Sequence, residues 1–162
     1  MISAALLDTS FFLRFLNDED PLFSNADNYF RFFLQSDIAM IISTISVAEY
    51  CVGGDLSELP LKNLQILPFN LLHSKRTGEL ARIAFERRKK GELKISSRNI
   101  IPNDTKLFAQ ADCEKTINIY LSSDTGSKKI FDQIKRETEL KFQFVDLSVP
   151  YHETFSILPF IK

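Results

Sequence analysis

Tryptophan is absent from this 162-residue chain, and cysteine, histidine and methionine occur only twice each. Two cysteines, Cys51 and Cys113, are too few for a disulfide scaffold and suit a reducing compartment. The two histidines, His73 and His152, do not stand at matched metal-ligand spacing. No apolar run approaches the roughly 18–20 residues a membrane span needs. The N-terminus lacks the basic region, apolar core and small-residue cleavage site of a secretory signal. A cytoplasmic protein without a membrane partner is therefore expected. Charge excess is missing too: 20 basic against 21 acidic residues leave a net charge of -1, so no global basic field advertises nucleic acid, although a local patch stays open. No stretch rich in Pro, Gly or Ser divides the chain, and no internal repeat stands out. One domain over residues 1–162 is expected, with 148–162 as a C-terminal tail. What is plentiful is phenylalanine, 15 residues, which reads as core and interface material.

Short apolar runs fall at 3–7, 38–43, 64–69, 117–121 and 142–147. Segments with helical spacing lie between them, at 10–17, 21–36, 44–52, 74–90, 103–115 and 126–138. Strands alternating with helices predict an α/β fold whose central, mostly parallel sheet has about five strands. In 21–36 the stripe is Tyr29, Phe30, Phe33 and Leu34. The segment 44–52 runs into Gly53 and Gly54, a helix stop.

The acids fall at the strand ends. The first apolar run stops at Asp8, and "INIYLSSD" ends at Asp124. "NIIPND" delivers Asp104 just after Pro102, where a helix is expected to open. In open α/β sheets, ligands bind beyond the carboxyl ends of the strands. Glu49 is the fourth acid. On a helix over 44–52 it shares a face with Ile45, Ala48 and Val52, and no Lys or Arg lies within helical reach. A buried carboxylate without a partner neutralises, pairs or binds metal, so its partner is expected from elsewhere in the chain.

These four stretches, "LLDTSFFLRFL", "ISTISVAEYCVGG", "IPNDTKLFAQA" and "IYLSSD", resemble the four motif regions of the PIN-domain ribonucleases, and most of all the VapC-type toxins of toxin–antitoxin pairs. The family pattern of Asp-Thr-Ser/Asn after the first strand is matched by Asp8, Thr9 and Ser10. A Glu on a short helix with Gly four residues later is matched by Glu49 and Gly53. Asp-x-x-x-x-Ala-x-Ala is matched by Asp104, Ala109 and Ala111, and Thr/Ser-x-Asp by Ser122 and Asp124. The resemblance spans roughly residues 2–147. Lys106 and Gln110 depart from it, standing where the family is more often apolar, and the gap from Asp124 to the next aromatic is longer than usual.

The resemblance implies a metal-dependent endoribonuclease. Asp8, Glu49, Asp104 and Asp124 would hold Mg²⁺ or Mn²⁺, with Ser10 and Ser122 in support. It also implies a small antitoxin partner and a homodimer. Clustered carboxylates repel, and hard divalent cations relieve that repulsion. Each acid also has a plainer use: Asp8 and Asp104 as helix N-caps, and Asp124 closing a turn before Gly126. Asp112, eight residues and about 12 Å along the helix from Asp104, is expected at the surface. The basic run at 86–94 offers Arg87 and Arg88 as RNA contacts or as a solvated helix end. Lys106, Lys128 and Lys129 compete for that role. The Phe-rich segments 10–17 and 21–36 hold more aromatic surface than two helices readily bury, which predicts an apolar groove or dimer face. Paired acids after the first strand, Asp-x-Asp and Gly-x-Gly-x-x-Gly are all missing, which argues against phospho-receivers, haloacid-dehalogenase phosphatases and dinucleotide folds. The remaining alternative is a catalytically silent PIN-fold interaction module that binds protein or RNA.

Overall fold

A computed structural model describes residues 2–95 and 100–157. Its sheet has five strands: β1 Ala4–Leu7, β2 Ala39–Ser43, β3 Leu64–Leu67, β4 Ile117–Ser122 and β5 Gln143–Asp146. Each falls within or across one of the five apolar runs. Every pairing is parallel, in the order β3-β2-β1-β4-β5. Parallel neighbours need crossovers, and helices supply them. Helices α1 Thr9–Phe15 and α2 Phe23–Gln35 follow β1. Helix α3 Thr44–Tyr50 follows β2, and α4 Leu71–Lys89 and α5 Ile100–Cys113 follow β3. Helix α6 Thr125–Lys135 follows β4, and α7 Tyr151–Ile157 follows β5.

Alternate strand residues point to opposite sheet faces. Ala5, Leu7, Met40, Ile42, Ile119 and Leu121 join a core with α1, α2 and α7. Leu6, Ile41, Tyr120 and Phe144 join a second core with α4, α5 and α6. Burial on both faces explains why the strands read as continuous apolar runs. The chain steps from β1 outward through β2 to β3, then returns to place β4 on the other side of β1. The crevice between the carboxyl ends of β1 and β4 is thus the topological switch point, the usual ligand site of such sheets.

Several boundaries and faces differ from the sequence expectation. Helix α5 starts at Ile100, ahead of Pro102. Proline fits there because the amides of a first helical turn have no intrahelical acceptor. Asp104 is therefore the fifth helical residue and not a cap. Helix α4 starts at Leu71, where Asn70 and His73 form a reciprocal capping box. Two short 3-10 turns, Leu56–Glu58 and Leu61–Asn63, precede β3. Leu34 is 49% exposed, so it leaves the predicted α2 stripe.

The surplus of aromatics is absorbed by a helix that the sequence reading treated as tail. Phe11, Phe12, Tyr29 and Phe33 are fully buried, and Phe30 nearly so. Phe32 stacks on Phe155 of α7 with ring centroids 4.5 Å apart. The Tyr29 hydroxyl donates to the Val149 carbonyl at 2.8 Å and sits 2.7 Å from Thr154 Oγ1. These aromatics form core, not the expected groove or dimer face. Residues 158–162 of the expected tail lie outside the described residues.

Candidate active site

Strand β1 ends in Leu7, and the Asp8 amide extends the ladder by donating to the Leu121 carbonyl at 3.0 Å. The chain then turns into α1 with Asp8 as N-cap. Asp8 Oδ2 accepts from the Ser10 amide (3.3 Å), Ser10 Oγ (2.6 Å) and Ser122 Oγ (2.8 Å). The carboxylate is 7% exposed. Ser10 and Ser122, the expected supporting pair, come from α1 and the end of β4 and meet at 3.2 Å. Asp124 caps α6, its Oδ1 accepting the Ser127 amide at 2.9 Å, while its own amide donates to Ser122 Oγ at 3.1 Å. The plain N-cap reading thus holds geometrically for Asp8 and fails for Asp104, while Asp124, expected to close a turn before Gly126, caps α6 instead. Asp104 Oδ2 is buried with no hydrogen-bond partner.

Glu49 departs from its expected place. The buried side chains of α3 are Ser46 and Tyr50, while Ala48 is exposed and Val52 lies past the helix, 88% exposed. Glu49 sits half-buried at the rim. Its partner does come from elsewhere: Thr9 Oγ1 donates to Glu49 Oε2 at 2.5 Å, and the Lys106 charge acts on the same carboxylate.

Asp8, Glu49, Asp104 and Asp124, with Thr9, Ser10, Leu13 and Asn103, line one open cavity of about 250 Å³. Burial, and then the charges of Asp8, Asp124 and Glu49, push the Asp104 carboxyl from 3.8 up to about 8. Burial is also the main cause that raises Glu49 above its usual range, with the Thr9 bond opposing it. Thr9 and Asn103 were not singled out as site residues from sequence. Thr9 was visible inside the Asp-Thr-Ser run, but its bond partner lies 40 residues away.

The donor set is all oxygen, which suits a hard divalent cation. Among the described residues, no three Asp, Glu, His or Cys side chains close on one point as a ready-made cage. Mg²⁺ does not require one, since it keeps several waters and is held by one or two carboxylates. The orphaned Asp104 Oδ2 and the repelling acids around it therefore fit such an ion.

Asp112 is not at the surface. It is 5% exposed, accepting Arg76 Nε and the Lys141 amide at 2.8 Å each. It lines a larger cavity of about 490 Å³ with Arg76, Glu79 and Lys141, remote from the acid cluster. Size does not make that cavity the better candidate, because Arg76 is already paired with Asp112 and Glu79. Among the candidate RNA contacts, Arg87 is held by Glu92 and Glu137. Lys128 bonds Asp132 and lies over the Phe144 ring. Arg88 is half-buried beside Phe85 and Leu93, and Lys129 is exposed on α6. Of these five, Lys106 acts directly on a cluster acid.

No family model matches the chain, and no curated protein matches it. Solved structures match its fold. A chain of VapBC2 from Rickettsia felis, bound to a promoter DNA fragment, is 18% identical, with a TM-score of 0.55 over 88% of this chain and 99% of that one. A chain of DNA-bound VapBC from Salmonella typhimurium is 18% identical, with a TM-score of 0.56 over 91% and 99%. VapC20 of Mycobacterium tuberculosis, described as a sarcin-ricin loop cleaving toxin, is 16% identical, with a TM-score of 0.48 over 76% and 92%, too distant to bear on the assignment. In fold, the chain is VapC-like, a five-stranded parallel PIN-type sheet with its acids at the switch point.

Proposed function

We propose that this chain is a metal-dependent endoribonuclease that hydrolyses RNA phosphodiester bonds, and that it serves as the toxin of a toxin–antitoxin pair. The observation that carries the reading is the convergence of four carboxylates from four separate elements on one open cavity, with the Asp104 carboxyl pushed up to about 8. Such a cluster is unfavourable alone and favourable around a cation. Mg²⁺ or Mn²⁺, when bound, supplies a more acidic water and a Lewis acid for the phosphate. Asp8, Glu49, Asp104 and Asp124 would hold it. Ser10 and Ser122 fix Asp8, and Thr9 fixes Glu49. Lys106, whose charge acts on Glu49, would receive an RNA phosphate. The structurally similar chains come from DNA-bound VapBC assemblies, which supports a small antitoxin as partner here; a homodimeric state and a cytoplasmic setting complete the proposal.

The test is RNA cleavage by the purified chain with Mg²⁺, with Mn²⁺ and with chelator. Asp8→Asn is the cleanest control, because asparagine still caps α1. Cleavage that depends on the cation and is lost in Asp8→Asn is expected. An Asp8→Asn protein that cuts like wild type would sink the nuclease reading.

A further inference from the structure

Beneath the acid cluster lies a residue that the carboxylate chemistry does not account for. Tyr120, on β4, is fully buried. Its ring packs among Phe108, Phe142 and Phe144, at centroid distances of 5.1, 6.2 and 5.5 Å. An aromatic core accepts phenylalanine there with no loss of contact, so the hydroxyl is the feature to explain. The register pairs Tyr120 with Leu6, and the Asp8 amide continues the ladder to Leu121, so Tyr120 shares a sheet face with Asp8. Its hydroxyl faces the side chains of Asp8 and Ser127 and feels the Asp104 charge, yet has no hydrogen-bond partner. Ser127 Oγ is likewise buried and unpartnered, as is Asp104 Oδ2. Three orphaned polar atoms at the base of one site demand an explanation, since each costs roughly 1–3 kcal/mol unpaired.

We propose that Tyr120 and Ser127 are positioning residues for the metal-binding carboxylates: the buried phenol donates to Asp8 and fixes its place beside Asp104, while Ser127 orients the phenol. This rests on the nuclease reading above. The roles follow from donor count. Ser127 Oγ–H donates to the phenol oxygen, which frees the phenol proton for a carboxylate. The Ser127 amide already holds Asp124 Oδ1 at 2.9 Å. Ser127 therefore ties the Asp124 limb on α6 to the Asp8 limb on β1 through Tyr120. Tyr120 has no exposed atom with which to touch RNA, so its effect passes through the acids.

The experiment titrates Mn²⁺ calorimetrically into wild type, Tyr120→Phe and Ser127→Ala, with melting temperatures in chelator and separate kcat and KM for RNA cleavage. Tyr120→Phe is expected to melt like wild type without metal, to bind Mn²⁺ roughly tenfold more weakly and to lose kcat with KM unchanged. Ser127→Ala is expected to move Mn²⁺ affinity the same way by a smaller factor. A Tyr120→Phe that is simply less stable, with wild-type Mn²⁺ affinity, shows a purely structural hydroxyl and overturns the inference. If Tyr120→Phe does not fold, an unchanged Mn²⁺ affinity in Ser127→Ala overturns it. Wild type that takes no Mn²⁺ overturns the nuclease reading and this inference together; equal affinities in all three proteins overturn this inference alone.

Discussion

Replacing Asp104 by asparagine removes an ionisable carboxyl from the centre of the cluster, and its effect on stability can be worked out in advance. The carboxyl stands at about 8 in the folded chain against an ordinary 3.8. The native state therefore keeps a proton that the unfolded chain releases between those values. With the native state binding more protons, stability falls as pH rises from about 4 towards 8. At pH 7.5 the ceiling is about 1.36 kcal/mol for each of the 3.7 units between 3.8 and 7.5, or roughly 5 kcal/mol. The cavity opens to water, which screens the neighbouring acids, so a gain of about 2 kcal/mol on substitution is the working figure. For a chain of this size that is a rise of about 4–8 °C in Tm. Melting in chelator at pH 5, 6, 7 and 8 checks it: wild type loses Tm with rising pH, and Asp104→Asn loses less and melts higher at pH 7.5. Mn²⁺ is expected to raise the wild-type Tm more at pH 8 than at pH 6, because protons compete for the same carboxylate. A flat wild-type profile, with Asp104→Asn melting no higher at pH 7.5, refutes the argument.

Asp112→Asn breaks a buried pair with Arg76 and is expected to cost roughly 2 kcal/mol or more in denaturant unfolding, with cleavage per folded molecule unchanged. Gly54→Ala places a Cβ 2.4 Å from Tyr50 Cε1, on a ring pinned through its hydroxyl by Glu58; a loss of roughly 1–3 kcal/mol is expected. Gly53→Ala meets nothing within 4 Å and is expected to be near neutral, so equal Tm values for the two variants would contradict the structure. Lys106→Gln is expected to weaken RNA binding and reduce its salt dependence by about one charge. Arg87→Gln is expected to leave binding nearly intact, because Glu92 and Glu137 already occupy that guanidinium.

The sheet was legible because a parallel sheet covered on both faces needs uninterrupted apolar runs, and such runs are visible in any single sequence. That the four acids meet in one cavity was legible for a related reason: each interrupts or follows an apolar run, which carries them to the same end of the sheet. Less visible were features set by long-range pairing. Glu49 was read from its own helix, whose wheel placed it with Ile45 and Val52. The chain leaves that helix at Tyr50, and the residue that holds Glu49 is Thr9. Asp112 looked like surface because its distance from Asp104 was judged and its tie to Arg76, 36 residues earlier, was not. The aromatic surplus suggested an interface because α7, with Phe155 and Tyr151, begins just past the last recognised strand and has only one acid in its first turn as a local signal.

Asp8 shows why the plain and functional readings of an acid need not compete. A cap requires one acceptor oxygen directed at the first-turn amides. The bonds from the Ser10 amide, Ser10 Oγ and Ser122 Oγ all fall on Oδ2. A cap alone would need neither hydroxyl. Two serines from different elements converging on one carboxylate oxygen lock its orientation, and the orientation chosen keeps Asp8 on the wall of the cavity it shares with Glu49, Asp104 and Asp124. Local capping thus stabilises the turn from β1 into α1, while the serines hold in place a carboxylate that repulsion from its neighbours would otherwise push aside. The strand end carries an acid because both demands are met by the same short, rigid side chain; asparagine would satisfy the first demand and not the second.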